Sequence, residues 1–457
     1  MTAPENKLAD LRSRILSSVK LSSLQFASQI GLRLISTIIL TRLLAPEIYG
    51  VFAIVLLYRY LLEMFSDLGI RSIILTKEGD VDRTFLQTCW TVSVMRGVLI
   101  AAVSIGIALI IAALQASDLF SSESAYAAHV LPWAIAALGG VSTVASLQTV
   151  NRYVYERNMA FGFVTLVTVL SNLLGLLATI ALAYWLRSVW ALVIGAYIQF
   201  GTVTVLSFFV FKGPPMGFAL DRPSLAIAIG RGKWIIGHSA LTALSQSADR
   251  LVLGFVMNSS LFGFYFIARQ IVDLGSGFLT TVHTQMGLQV FSRIMEEGPQ
   301  IFRKKYYRYR LIFDALAGAG AGGVFILAPQ IVDLIFDDRY QQVGPFVQLL
   351  AFSLLLIGPL ILREAFSAER KFREMTILSL VSTLVLWGAL LIAIWLENIS
   401  AALIAIALHR LPEAAILWWL AKRRDWLVIW RESLVLVAFC GGTVIGWALL
   451  ALWKIFV

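Results

Sequence analysis

Residues 40–75 read "LTRLLAPEIYGVFAIVLLYRYLLEMFSDLGIRSIIL", a run apolar enough to enter a bilayer that nevertheless carries Arg59, Glu63 and Asp67. Spaced four apart, these three lie within about 80° of one another on a helix, so they share a face. Lipid offers no cheap surroundings for such a face, and the segment is predicted to line something internal. Apolar runs of about 20 residues, each long enough to span a membrane as a helix, recur along all 457 residues. With 59% hydrophobic residues, 14% charged and a mean hydropathy of +0.82, the chain is predicted to be an all-α polytopic membrane protein.

The runs place helices at 20–45, 48–75, 85–114, 126–150, 160–186, 189–211, 234–258, 261–290, 311–336, 344–366, 375–396, 400–421 and 433–453. With the N-terminus inside, 26 of the 37 basic residues fall in inner segments, against Arg187, Arg339 and Lys454 outside. That asymmetry predicts a cytoplasmic N-terminus. The net charge of +10 is then topology, and no nucleic-acid partner is expected. The stretch "RKKYYRYR" (303–310) is expected to anchor on the anionic inner leaflet. The polar, basic first 20 residues show no small-residue cleavage site, so helix 1 is read as its own insertion signal. Cys89 and Cys440 sit in apolar runs and suggest no disulfide framework. His129, His238, His283 and His409 match no metal-ligand spacing.

The longest inner break, "KGPPMGFALDRPSLAIAIGRGKW" (212–234), begins where Pro214 and Pro215 stop helix 6; beyond them the chain could lie flat on the membrane. It divides the chain into an N-terminal lobe of six helices (1–211), a cytoplasmic linker (212–233), a C-terminal lobe of six helices (234–421) and an additional C-terminal transmembrane helix (422–457). The lobes echo each other. Gln25, Gln29, Arg33, Thr37 and Thr41 stripe helix 1 at four-residue spacing, as His238, Thr242, Gln246 and Arg250 stripe helix 7. Each following helix opens on an aromatic-glycine pair, Tyr49-Gly50 or Phe262-Gly263, and then carries Arg59/Glu63 or Arg269/Asp273. "AGAGAGGV" (317–324) lacks the Lys-Ser/Thr of a phosphate loop and is read as a close-packing surface.

Six arginines (Arg33, Arg59, Arg96, Arg250, Arg269, Arg410) and five acids (Glu63, Asp67, Asp249, Asp273, Glu413) lie deep, while Arg42 and Arg71 sit near helix ends and can snorkel. Facing lipid, the eleven deep groups would cost about 30 kcal/mol, beyond the roughly 5–15 kcal/mol that holds a domain together. They must face an interior, either as ion pairs (Arg59/Glu63, Arg269/Asp273, Arg410/Glu413) or as a wet binding surface. Arg33 and Arg96 have no acid nearby on their own helices.

The segments "TRLLAPEIYGVFAIV" (41–55), "DLGIRSIIL" (67–75), "SADRLVLGFVMNSSLFGFYFIARQI" (247–271) and "QVFSRI" (289–294) resemble the polysaccharide-export flippases of the multidrug/oligosaccharidyl-lipid/polysaccharide superfamily. The resemblance covers most of the chain. It implies two pseudo-symmetric six-helix lobes around a central cavity and alternating access. The implied cargo is an undecaprenyl-diphosphate-linked oligosaccharide, turned from the inner to the outer leaflet of the bacterial inner membrane for exopolysaccharide, O-antigen or capsule assembly. Membrane lipids, a polysaccharide polymerase and export proteins are the implied partners. Related lipid II flippases carry cavity arginines on helices 1, 2 and 8, which Arg33, Arg59 and Arg269 match. Arg250, Glu63, Gln29 and Gln246 join them as expected substrate contacts. Cation-coupled members carry an ion site on helices 7 and 12, which points to Asp249 and Glu413, with Asp273 beside them, for Na⁺ or H⁺; no other cofactor is expected. The thirteenth helix departs from the family's even count.

Guanidinium forks suit phosphate oxygens, and an inside-negative potential drives anions outward by about 2.3 kcal/mol per charge per 100 mV. A multidrug or lipid II type transporter would share the fold, although cationic drugs call for acids without rival arginines. A membrane glycosyltransferase or polymerase needs a sizeable outer loop, and the longest here, 115–125, has about ten residues. A structural scaffold would not explain the deep charges.

Overall fold

The computed structural model describes residues 28–117, 120, 124–369 and 371–456. Gln25, the start of helix 1, the cations Lys7, Arg12, Arg14 and Lys20, and Arg370 lie outside the described residues. All regular structure among the described residues is helical. Contacts divide the chain into two units, Met1–Phe262 and Gly263–Val457.

In the first unit, α1 covers 28–43 and α2 covers Pro46–Phe65. Pro46 opens α2 in the first turn, where its missing N–H costs nothing. The stretch 58–69 is not one helix. α2 stops at Ser66, Asp67 accepts the Gly69 N–H at 2.9 Å, and Gly69 takes φ 64° before the short α3, Ile70–Leu75. Asp67 therefore shapes a turn instead of extending the polar face of α2. A Cβ on Gly69 would come within 2.3 Å of Ile235. Tyr49-Gly50 also has a packing role: a Cβ on Gly50 would meet the Ser259 carbonyl oxygen at 1.9 Å.

Asp82 caps α4 (Arg83–Ala116); the Lys77 ammonium hydrogen-bonded to it at 2.9 Å holds its carboxyl below the usual range. α5 (Leu131–Ser146) and α6 (Asn151–Arg157) meet at a 62° bend. α7 (Phe161–Leu186) and α8 (Val189–Val210) form a hairpin. The next helix corrects the predicted linker. α9 runs unbroken from Arg222 to Val256 and packs on α2 within the first unit, so 222–233 is helix and the contact boundary falls at Phe262/Gly263. Asp221 explains the early start by capping the Ser224 N–H at 3.0 Å. Only 212–221 is a strap, held to α4 where Gln87 donates to the Pro215 carbonyl and Thr91 and Thr88 accept from the Ala219 and Asp221 N–H groups.

In the second unit, α10 (Ser259–Met295, entering the unit at Gly263) leads into α11 (Pro299–Ile335). A broken span follows: α12 (Val343–Leu350), a 3₁₀ turn over Ala351–Leu356, α13 (Ile357–Leu360) and α14 (Leu362–Ala368). Then come α15 (Phe372–Trp395), α16 (Ile399–Leu408) and α17 (Leu411–Lys422), split before Pro412 as a missing donor requires. α18 (Ile429–Glu432) turns the chain into α19 (Leu434–Phe456).

The additional helix lies along α11, and the glycine run makes that possible. A Cβ on Gly322 would stand 2.1 Å from the Phe439 carbonyl oxygen, and one on Gly442 would stand 2.2 Å from that of Ala319. Small residues let two helix backbones touch where lipid supplies no hydrophobic drive.

The stretch 303–310, expected as an anchor, divides into exposed and buried residues. Lys304, Lys305 and Arg308 are exposed, but Tyr306, Tyr307 and Arg310 are buried. Arg310 reaches Asp314 at 3.0 Å and also pairs with Glu432. Tyr307 donates to Glu432 at 2.5 Å and accepts the Val428 N–H at 2.9 Å. This polar clasp ties α11 to the chain entering α19.

Among the described residues, nine helices are long and apolar enough to cross a bilayer, and the bent α5–α6 pair makes a tenth. α9 and α10 have the length but carry the polar positions from His238 to Arg250 and from Arg269 to His283, which lower their hydropathy.

Candidate substrate site

On α2 the first-unit charges gather in two directions. Arg59 Nε donates to Glu63 Oε1 at 2.9 Å, and Ser142 on α5 donates to the same oxygen at 3.1 Å. The Arg59 guanidinium lies 4.3 Å from the ring centroid of Phe200 on α8, a stabilising cation–π contact when desolvated. Its side chain is only 12% exposed, yet its two terminal nitrogens find no partner among the described residues. One edge of the fork is thus fixed while the other keeps its donors.

One position further, Tyr60 turns to α9 and donates to Gln246 Oε1 at 3.0 Å. Arg250 lies 5.8 Å from the Tyr60 ring centroid and donates to the Gln246 carbonyl at 3.1 Å. Its Nε is 4.0 Å from the buried Asp249. Tyr60, Gln246, Asp249 and Arg250 therefore form one α2–α9 neighbourhood, while Arg59 and Glu63 face α8 and α5. Gln29 and Arg33 stand one turn apart on α1, both exposed.

Arg96 is structural. It donates to the Glu63 carbonyl at 2.5 Å and to Ser66 Oγ at 3.0 Å, placing a cation on the C-terminal end of α2, where the helix dipole favours it. Its partner is backbone, which is why its own helix supplies no acid.

In the second unit, Arg269 pairs with Asp273 at 2.9 Å on the half-exposed face of α10. Glu413, fully buried, accepts from Arg410 at 3.0 Å, from Ser382 at 2.8 Å and from Arg363; Arg363 also donates to Ser379 at 3.1 Å. Arg363, counted from sequence among the inner-loop cations, is thus part of this buried network. Two guanidiniums on one carboxylate leave the cluster with an excess positive charge, an unfavourable setting for Na⁺. No group of three or more His, Cys, Asp or Glu suited to a metal occurs among the described residues.

Residues 39–345 match the family described as "Polysaccharide biosynthesis protein", well over half of the chain. The chain belongs to this polysaccharide biosynthesis protein family. It is 21% identical over 362 residues to the lipopolysaccharide biosynthesis protein WzxC of Escherichia coli (strain K12), covering 78% of this chain and 71% of that one. The amylovoran biosynthesis protein AmsL of Erwinia amylovora is 25% identical over 146 residues, covering 31% and 36%. Among solved structures, the lipid II flippase MurJ in an inward closed conformation aligns with a TM-score of 0.68 at 14% identity, over 93% of this chain and 92% of its own. An inward-facing multidrug resistance MATE family transporter aligns at 0.61 and 12% identity, over 89% and 98%. At such identities the likeness establishes the fold alone, an arrangement of membrane helices like those of MurJ and the MATE transporter.

For this polysaccharide biosynthesis protein the pairs Arg59/Glu63 and Arg269/Asp273 form within one helix, as four-residue spacing allows, and Arg410/Glu413 forms from the turn that precedes α17 into its first turn. Ser142 and Phe200 beside Glu63 and Arg59, Tyr60 beside Gln246 and Arg250, and Arg363 beside Glu413 escape sequence reading, because each meets its partner from a different helix, outside any periodic pattern.

Proposed function

We propose that this member of the polysaccharide biosynthesis protein family turns an undecaprenyl-diphosphate-linked oligosaccharide repeat unit from the inner to the outer leaflet of the bacterial inner membrane by alternating access. The observation that carries this is Arg59: a largely desolvated guanidinium, fixed by Glu63 and Phe200, with its terminal donors unused. Such a fork matches phosphate oxygens in pairs. Arg33, Arg250 and Arg269, with Gln29 and Gln246, complete the proposed contacts, each within its own unit. The membrane potential favours outward passage of a diphosphate; Na⁺ or H⁺ coupling through Asp249, Asp273 or Glu413 belongs to the same proposal. Exopolysaccharide, O-antigen or capsule assembly is the proposed pathway, with a polymerase and export proteins downstream.

In cells that depend on this protein for polymer, Arg59→Ala and Arg250→Ala are expected to abolish export while membrane levels stay normal. Arg59→Lys should restore part of it, since an ammonium lacks the fork. Normal polymer from both alanine variants would sink the assignment. Orientation is checked on a Cys440→Ser background, because Cys440 is exposed and Cys89 buried. Ser117→Cys and Ser400→Cys should react with an impermeant maleimide from outside, and Asp80→Cys and Glu297→Cys should not. External labelling at position 297 would reverse the topology.

A further inference from the structure

α3 and α6 pack against each other in the first unit, and Glu156 lies between them with a side chain only 4% exposed. It accepts from two arginines on different helices. Arg71 Nε donates to Oε2 at 2.6 Å, and Arg152 Nε donates to Oε1 at 3.2 Å. Arg152 also gives one terminal nitrogen to Gln148 Oε1 at 3.4 Å. Both terminal nitrogens of Arg71 and the second of Arg152 have no partner among the described residues, and the Arg71 side chain is 61% exposed.

Neutralising Glu156 takes one guanidinium. Two, each fixed through Nε, leave an excess positive charge and three donor nitrogens unbonded. Neighbouring cations do not share this arrangement: Lys77 is paired with Asp82 at 2.9 Å, and Arg157 donates to the Gly79 carbonyl at 2.9 Å. In the proposed orientation α3 and α6 lie at the cytoplasmic ends of their spans, at the level of inner-leaflet headgroups. Converging guanidiniums bind phosphate oxygens with charge-assisted hydrogen bonds.

We propose that Arg71 and Arg152, oriented by Glu156, form a second phosphate site at the cytoplasmic face of the first unit. It takes the phosphate oxygens of a lipid headgroup, either the diphosphate of the lipid-linked cargo on its way to Arg59 or the phosphodiester of an anionic phospholipid. Its sidedness and the first of these sources rest on the proposed function; the site itself does not.

The test uses full-length protein carrying Arg59→Ala and Arg250→Ala, in phosphatidylcholine nanodiscs, with farnesyl diphosphate as the probe. Binding should persist in this parent. Adding Arg71→Gln and Arg152→Gln should weaken it at least about tenfold, because the charge-assisted bonds to phosphate oxygens are lost. Adding Lys77→Gln and Arg157→Gln instead should leave it unchanged. No binding by the parent, no effect of the Arg71/Arg152 pair, or an equal effect of the control pair each overturns the site. Repeating the titration with phosphatidylglycerol in the nanodisc identifies the source. Displacement of the probe assigns the site to phospholipid, and retention assigns it to the diphosphate cargo. Because binding is read without transport, a failure of export assignments at Arg59 leaves this result standing, and the reverse.

Discussion

Replacing Arg310 by Ala is expected to cost about 3–5 kcal/mol, the usual penalty for stripping one partner from a buried ion pair, and so to lower the melting temperature of the detergent-purified protein markedly. Arg310 is fully buried, and it stands between Asp314 and Glu432. Its loss would leave two carboxylates facing each other in the packed base of the second unit. Nothing can move in cheaply, since Gly358 is so close that a Cβ there would meet Asp314 Oδ1 at 1.7 Å. The damage should appear first at the C-terminal helix, because Glu432 and Val428 hold the segment that leads into α19. Limited proteolysis across 423–433 should therefore accelerate in the variant. Arg310→Lys should recover only part of the loss, as one ammonium cannot span both acids with the geometry of a fork. An Arg310→Ala protein with unchanged melting and proteolysis would show that the clasp contributes nothing.

Glu413→Ala is expected to be comparably damaging. Its removal leaves Arg363 and Arg410 without their shared counter-charge inside the second unit, again about 3–5 kcal/mol. A second substitution distinguishes ion coupling from charge neutralisation. If Glu413 serves chiefly to neutralise, Arg363→Met combined with Glu413→Met removes the buried acid with one of its two cations, leaves only the part-exposed Arg410 charged, and should restore much of the melting temperature. If it carries a coupling ion, Glu413→Gln should fold normally, bind cargo and lose the response of reconstituted vesicles to an imposed Na⁺ or pH gradient. The observed geometry favours neutralisation: both carboxylate oxygens already accept from guanidiniums, and Ser382 adds a third donor. A stable Glu413→Gln protein that ignores ion gradients would reject that preference.

Membrane residence, helical class and the deep arginine–acid pairs were legible in the sequence by itself, because each depends on local quantities. Twenty apolar residues in a row admit one outcome in a bilayer, and Arg59/Glu63 or Arg269/Asp273 can pair within one helix whatever the rest of the chain does. The glycines at 317–324 likewise announced a backbone contact, since small residues in a membrane helix mark where another helix comes close. The sequence could not say which helix would come. Only packing decided that α19 fills that surface, that Arg310 and Arg363 leave the run of inner-loop cations to enter buried networks, and that Asp67 ends a helix instead of continuing its polar face. It also decided that α9 sides with α2, so that Tyr60 and Gln246 meet across 186 positions of chain. A charge count assigns a residue to a side of the membrane from its neighbours in sequence. Its true environment is set by long-range partners, and burial makes those partners worth several kcal/mol.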